Sequence, residues 1–158
     1  MSISVLQALR STDRFKAYGV GIEETMGRRE QREQIFKLLF RIEFNEKEDM
    51  PEQLRLFFEE AEEPVAESDE QYITVKYNHI MEKLSGIDAL LNEKAEKWTT
   101  DRMGKAELTI LRLAVYEILY DQDVPTGVAI NEAVELAKKF GQDNGGAFVN
   151  GVLAKFAG

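Results

Sequence analysis

Apolar residues along this chain recur mostly at helical spacing. Ile35, Leu38, Leu39 and Ile42 fall at i, i+3, i+4 and i+7 and predict a helix across about residues 27–44. Pro51 suits a first helical turn, and Leu54, Leu56, Phe57 and Phe58 predict a second short helix ending before Pro64. Ser68 and Asp69 are candidate caps for a third helix carrying Ile73, Tyr77, Ile80, Met81 and Leu84. Ser85 and Gly86 punctuate it, so a separate fourth helix is expected from Asp88 to Trp98. Thr99, Thr100 or Asp101 would cap the approach to a fifth, about 104–121, whose apolar residues point nearly all round. Such a helix is expected at the centre, surrounded by the others. A sixth carries Val128, Ala129, Ala133, Val134, Leu136, Ala137 and Phe140, with Lys138 and Lys139 at its C-terminal end and Gly141 as terminator. A last helix, capped by Asn144, has Phe148, Val149, Val152, Leu153 and Phe156 on its apolar face. Asn150-Gly151 would ordinarily signal a hairpin. Its flanks keep helical period, so Gly151 is read as a close-packing position. The expected fold is all-α: seven short helices joined by short loops.

Composition narrows the chemistry. At 158 residues and 44% hydrophobic, the chain has room for one domain with a real core. It has no cysteine, which removes disulfides, thiolate zinc sites and a cysteine nucleophile. Its one histidine, His79, excludes a His-rich metal site. No apolar run approaches the roughly 20 residues of a membrane span. Arg10 and Arg14 interrupt the stretch an export signal would need, so a soluble cytoplasmic protein is expected. The net charge of −9 argues against indiscriminate nucleic-acid binding. The charge is uneven, however. Residues 26–41 hold five bases against two acids, while residues 42–75 hold two bases against twelve acids.

On a helical wheel, Arg29, Arg32, Phe36 and Phe40 fall within about 80° of one another. Arginine forks grip phosphates, and planar groups stack on unpaired bases. Two readings stay open: a phosphate-and-base site, or a core edge formed by Phe36 and Phe40 beneath solvated arginines. Arginines at a helix N-terminus oppose the helix dipole, which hints at a use other than stability. Arg112, Glu107 and Glu117 lie on the most apolar helix, where buried charges need partners. The GQDNGG run from Gly141 to Gly146 lacks the Gly-Lys-Ser/Thr of a phosphate-cradling loop. Nothing accompanies Glu107 or Glu117 to make an enzyme, and no cofactor is expected.

Four blocks carry a family resemblance: MGRREQREQIFKLLF at 26–40, ELTILRLAVYE at 107–117, VPTGVAINEAVELAK at 124–138 and FVNGVL at 148–153. They resemble the NusB transcription antitermination family over about residues 26–158. The resemblance implies two small packed helical bundles. It implies binding of the boxA element of nascent ribosomal RNA leader transcripts together with ribosomal protein NusE. It also implies entry into the RNA polymerase elongation complex with NusA and NusG, where the assembly suppresses premature termination. The family's arginine-rich RNA motif falls on Arg28, Arg29 and Arg32, beside Phe36, and its RNA-facing aromatic falls on Phe148. The NusE contacts fall on Glu107 and on the stretch around Asp143 and Asn144. The arginine cluster is thinner than in some relatives, with Glu30 and Gln31 inside it. Where some relatives have aspartate, this chain has Asn144 after Asp143. Residues 1–25 have no counterpart in the family. They are expected to be an upstream-extended start with translation from Met26, or else an appendage, disordered or docked as a short helix through Val5, Leu6 and Leu9. The competing function is a helical protein-binding scaffold without RNA binding.

Overall fold

Within residues 25–157, which the computed structural model describes, the chain forms six α-helices and three short 3₁₀ turns. The helices are α1 (Arg28–Phe40), α2 (Met50–Glu59), α3 (Glu67–Lys94), α4 (Lys105–Tyr120), α5 (Thr126–Phe140) and α6 (Gly145–Ala154). The expected docking of Val5, Leu6 and Leu9 lies outside the described residues.

Helix α4 is the axis. Each residue from Glu107 to Glu117 is buried, as a helix apolar on every side demands. Helices α1 and α3 pack on it and on each other, and α2 rests on the turns that follow α1. Helices α5 and α6 pair with each other and also pack on α4. Two small helical groups therefore share one central helix.

Six helices replace the expected seven because Ser85 and Gly86 do not break α3. A mid-helix glycine costs about 1 kcal/mol relative to alanine. Ile80, Ile87 and Leu91 are fully buried on one continuous stripe across that point. Each such side chain gains about 1.5–3 kcal/mol from burial, so packing outweighs local propensity. The helix ends instead at Lys94, with Glu96 in the left-handed region (φ 55°).

Two further expectations fail for identifiable reasons. Ser68 and Asp69 do not cap α3, which begins at Glu67 after Ala66. Asp69 is buried and accepts hydrogen bonds from the Met26 backbone N–H (2.9 Å) and from Gln31 Nε2 (2.8 Å), tying the start of α1 to α3. Gly151 lies in a helix, but it is exposed and a methyl group there would touch nothing within 4 Å, so close packing is not its role. Among the described residues no helix is long and apolar enough to cross a membrane.

Candidate functional site

The start of α1 projects two arginines outward and draws a third inward. Arg28 lies over the Tyr72 ring of α3, 4.3 Å from its centroid, and donates to Gln31 Oε1 at 2.9 Å. Arg29, with 76% of its side chain exposed, donates from Nε and Nη2 to the two carboxylate oxygens of Glu132 on α5, at 2.9 and 2.6 Å. Arg32 is buried. Its Nε meets Glu117 of α4 at 3.0 and 3.2 Å, and its Nη1 reaches Glu132 at 3.3 Å. Glu117, only 1% exposed, also accepts from Lys76 Nζ at 2.6 Å, and Lys76 pairs with Asp121 at 3.0 Å.

Acids and bases thus alternate from the surface to the end of α4. Burial pulls the Lys76 ammonium down, but Glu117 and Asp121 outweigh it and hold its pKa above the ordinary lysine value. The Arg29 hydrogen bond holds the Glu132 carboxyl below its ordinary value against the opposing effect of burial. Phe36, 3% exposed, packs against Phe40 and Phe140 with centroids 5.9 and 4.9 Å away. It sits in the core, beneath the arginines.

The other end is built on space rather than paired charge. Glu107 is 5% exposed, and its Oε2 accepts the Gln142 backbone N–H at 2.7 Å. Its carboxylate is enclosed by Gly104, Gly141 and Gly145: a Cβ on any of them would press on that carboxylate, and one on Gly141 would also strike backbone. A Cβ on Gly141 would fall 2.5 Å from Glu107 Oε2 and 2.7 Å from the Ala137 carbonyl. A Cβ on Gly145 would fall 2.7 Å from Oε2, and one on Gly104 would collide with Oε1. The glycines of the 141–146 stretch therefore let the loop close over a buried acid. Asp143 and Asn144 are exposed on that loop. Asn144 occupies the N-cap position of α6 without a side-chain hydrogen bond.

A cleft of 490 Å³ brings Glu107, Asp143, Asn144 and Phe148 together. Phe148 is half-buried there, edge-on to Trp98 at 5.9 Å between centroids. A neighbouring polar groove of 890 Å³ runs from Arg29 past Glu132 and Lys138 to Asp143 and Asn150. The α5–α6 loop forms a wall of each, since Gln142 and Asp143 line both. The structure thus joins the partner residues to Phe148, brings Arg29 to the same loop, turns Arg28 toward α3 and buries Arg32 and Phe36.

Sequence reasoning missed several of these parts. Lys76 lies inside the apolar stripe of Ile73, Tyr77 and Ile80, a visible sign of a paired buried lysine. The partner expected for the buried charge of Arg112 is present, as Asp88 holds it bidentately at 2.8 Å and Glu43 at 2.7 Å; only the identity of these two acids has no local signal. Trp98 and Arg102, whose guanidinium lies 5.5 Å from the Trp98 ring, line the cleft from the turn before α4. Among the described residues no cluster of three metal-ligating side chains forms.

Comparisons with known proteins agree with this architecture. A curated transcription antitermination protein NusB of Agathobacter rectalis is 54% identical over 132 residues, spanning 84% of this chain and all of that protein. Its counterpart in Lachnoclostridium phytofermentans is 48% identical over 130 residues, 82% of this chain and 98% of that one. NusB of T. maritima superposes with a TM-score of 0.76 at 36% identity, covering 85% of this chain and 92% of that one. A chain of the crystal structure of antitermination factors NusB and NusE in complex with dsRNA superposes with a TM-score of 0.72 at 25% identity, covering 82% and 95%. With the NusB family model matching residues 29–158 and the arginine end and glycine loop meeting across one helical core, the chain belongs to the NusB family.

Proposed function

We propose that this protein is a transcription antitermination factor. It binds the boxA element of nascent ribosomal RNA leader transcripts together with ribosomal protein NusE and suppresses premature termination by RNA polymerase. The observation that carries this reading is 54% identity to a NusB over 132 residues, 84% of this chain and all of that protein. Likeness to the NusB–NusE–dsRNA complex supports the RNA and NusE partnership. The assembly would act in the cytoplasm within the elongation complex, alongside NusA and NusG. The chain works as an adaptor with residues 26–158 as its working domain, not as an enzyme.

The proposed RNA surface combines Arg28 and Arg29, which reach phosphates, with Phe148, on which a base stacks beside Trp98. Arg32 and Phe36, being buried, support that surface from behind. Asp143 and Asn144 meet NusE, and Glu107 shapes the loop that presents them. Two phosphate contacts on single-stranded RNA give a slope of log K against log salt near about −1.4, at roughly −0.7 per contact.

The test is a gel shift of a boxA-containing RNA with this protein, with and without NusE, across a salt series. Retention that requires NusE and weakens with salt is the expected result. A complex with NusE that never retains RNA would overturn the reading in favour of a protein-binding scaffold, with the arginines meeting an acidic partner.

A further inference from the structure

Arg29 combines a highly exposed side chain with a fully specified hold on one of its edges. A guanidinium carries five N–H donors in a planar fork. The Nε–Nη2 edge is taken by the two oxygens of Glu132. The opposite edge, Nη1 with the second Nη2 hydrogen, is left to face away from that carboxylate. It matches the spacing of two phosphate oxygens. A phosphate can therefore dock without displacing Glu132.

Glu132 is itself fixed. Its Oε1 is shared with Arg32, Arg32 is bonded to Glu117, and Glu117 to Lys76. Only 12% of the Glu132 side chain is exposed, against 76% for Arg29. The acid belongs to the framework, and the arginine it holds belongs to the surface.

We propose that Glu132 is a positioning residue for RNA: it locks Arg29 so that its free edge meets one phosphate in a set geometry, with Arg32 as the anchor of Glu132. This rests on the reading that the arginine end binds RNA. Ordering a long side chain at the moment of binding weakens an interaction about three- to tenfold, and a side chain already ordered avoids that loss. The sign of the effect is what separates this from simple electrostatics. A carboxylate beside a phosphate site repels the ligand, so charge alone predicts that neutralising Glu132 tightens binding. Positioning predicts that it weakens binding.

The experiment measures affinity for a boxA-containing RNA in the presence of NusE, at fixed salt, for Glu132→Gln, Arg29→Ala, Arg29→Lys and the double variant Glu132→Gln/Arg29→Ala. Circular dichroism and thermal unfolding verify the fold. Glu132→Gln is expected to weaken binding about three- to tenfold. Arg29→Lys should bind as weakly as Arg29→Ala, because a lysine keeps the charge and loses the two-edged fork. The double variant should be no weaker than Arg29→Ala alone. Unchanged or tighter binding by Glu132→Gln, or effects that multiply in the double variant, overturn the proposal while the RNA site stands. Full affinity in Arg29→Ala sinks the RNA site and the proposal together. Should Glu132→Gln fail to fold, Arg29→Lys decides on a side chain at the surface: wild-type affinity there overturns the proposal.

Discussion

The two ends of the candidate interface each rest on a buried acid of α4, yet the acids act differently. At the arginine end, Glu117 lies between two buried cations, Arg32 and Lys76, and its role is to balance charge. At the loop end, Glu107 receives a backbone N–H from Gln142 and is enclosed by three glycines, so its role is to fit a space and hold a loop. The first end is therefore expected to be sensitive to charge and the second to volume. The two acids lie ten positions apart on one helix. The same residue type on the same helix thus supports opposite mechanical designs.

The largest effect should come from breaking the charge balance. Glu117→Gln preserves shape and removes the acid shared by the buried Arg32 and Lys76, leaving them only Glu132 at 3.3 Å and Asp121 at 3.0 Å as counter-charges. Removing one member of a buried ion pair typically costs about 3–5 kcal/mol, a large part of a domain's total stability. Chemical denaturation should show the loss as a lowered midpoint. A stability within about 1 kcal/mol of wild type would mean that Glu132 and Asp121 balance the cations without Glu117 and that the contrast fails.

Next comes volume at the other end. Gly141→Ala adds a methyl group where the Ala137 carbonyl and Glu107 Oε2 leave none. Overpacking of this kind costs about 1–3 kcal/mol, and the displaced loop should lose affinity for NusE in a pull-down. Retained NusE binding in a folded Gly141→Ala protein would show that the partner does not read the loop. The milder companion is Glu107→Gln. A glutamine carbonyl can still accept the Gln142 N–H, so a loss of about 1 kcal/mol or less is expected, with NusE binding preserved. Lost NusE binding in a protein of unchanged stability would instead make the Glu107 charge a direct partner contact. Glu→Gln at 107 and at 117 is one substitution with two expected outcomes, and that pair tests the contrast most directly.

Much of this was legible in the sequence, and the remainder was not for physical reasons. The burial of α4 follows from apolar residues on all its sides, and the end of α5 from Gly141, because both signals are local. The break expected at Gly86 failed because a local cost of about 1 kcal/mol competes with burial of Ile80, Ile87 and Leu91, which depends on other helices. The wheel places Arg29, Arg32 and Phe36 on one side of α1. It carries no information about depth. Arg32 is internal because acids 85 and 100 positions away come to meet it. Phe36 is internal because Phe140 of α5 covers it. The partnership of Glu107 with Gly141 and Gly145 likewise joins positions more than thirty residues apart. Spacing identifies which residues share a face, and only tertiary packing decides which of them reach solvent.

Acid provides the gentlest way to separate the ends. The Arg29 hydrogen bond depresses the Glu132 carboxyl. Glu33, which pairs with Lys139 of α5 at 2.7 Å, is also depressed, since Lys139 and Lys37 outweigh the upward push of burial. A carboxyl whose folded pKa lies below its unfolded value contributes stability that is fully present above the unfolded value, about 4.3 for glutamate. That contribution is lost as pH falls through the folded value. Both pairs join α1 to α5, so the attachment of these helices should be unaffected between about pH 7 and pH 5 and should loosen below about pH 4. The effect should be small because each cation is largely exposed and screened by solvent. Thermal midpoints of wild type and Glu132→Gln across that range provide the measurement. The variant starts lower at neutral pH and the two curves converge in acid, because protonation does to the wild type what the substitution has already done. Parallel curves would show that Glu132 keeps its ordinary pKa and that its pair with Arg29 contributes nothing to holding α1 on α5.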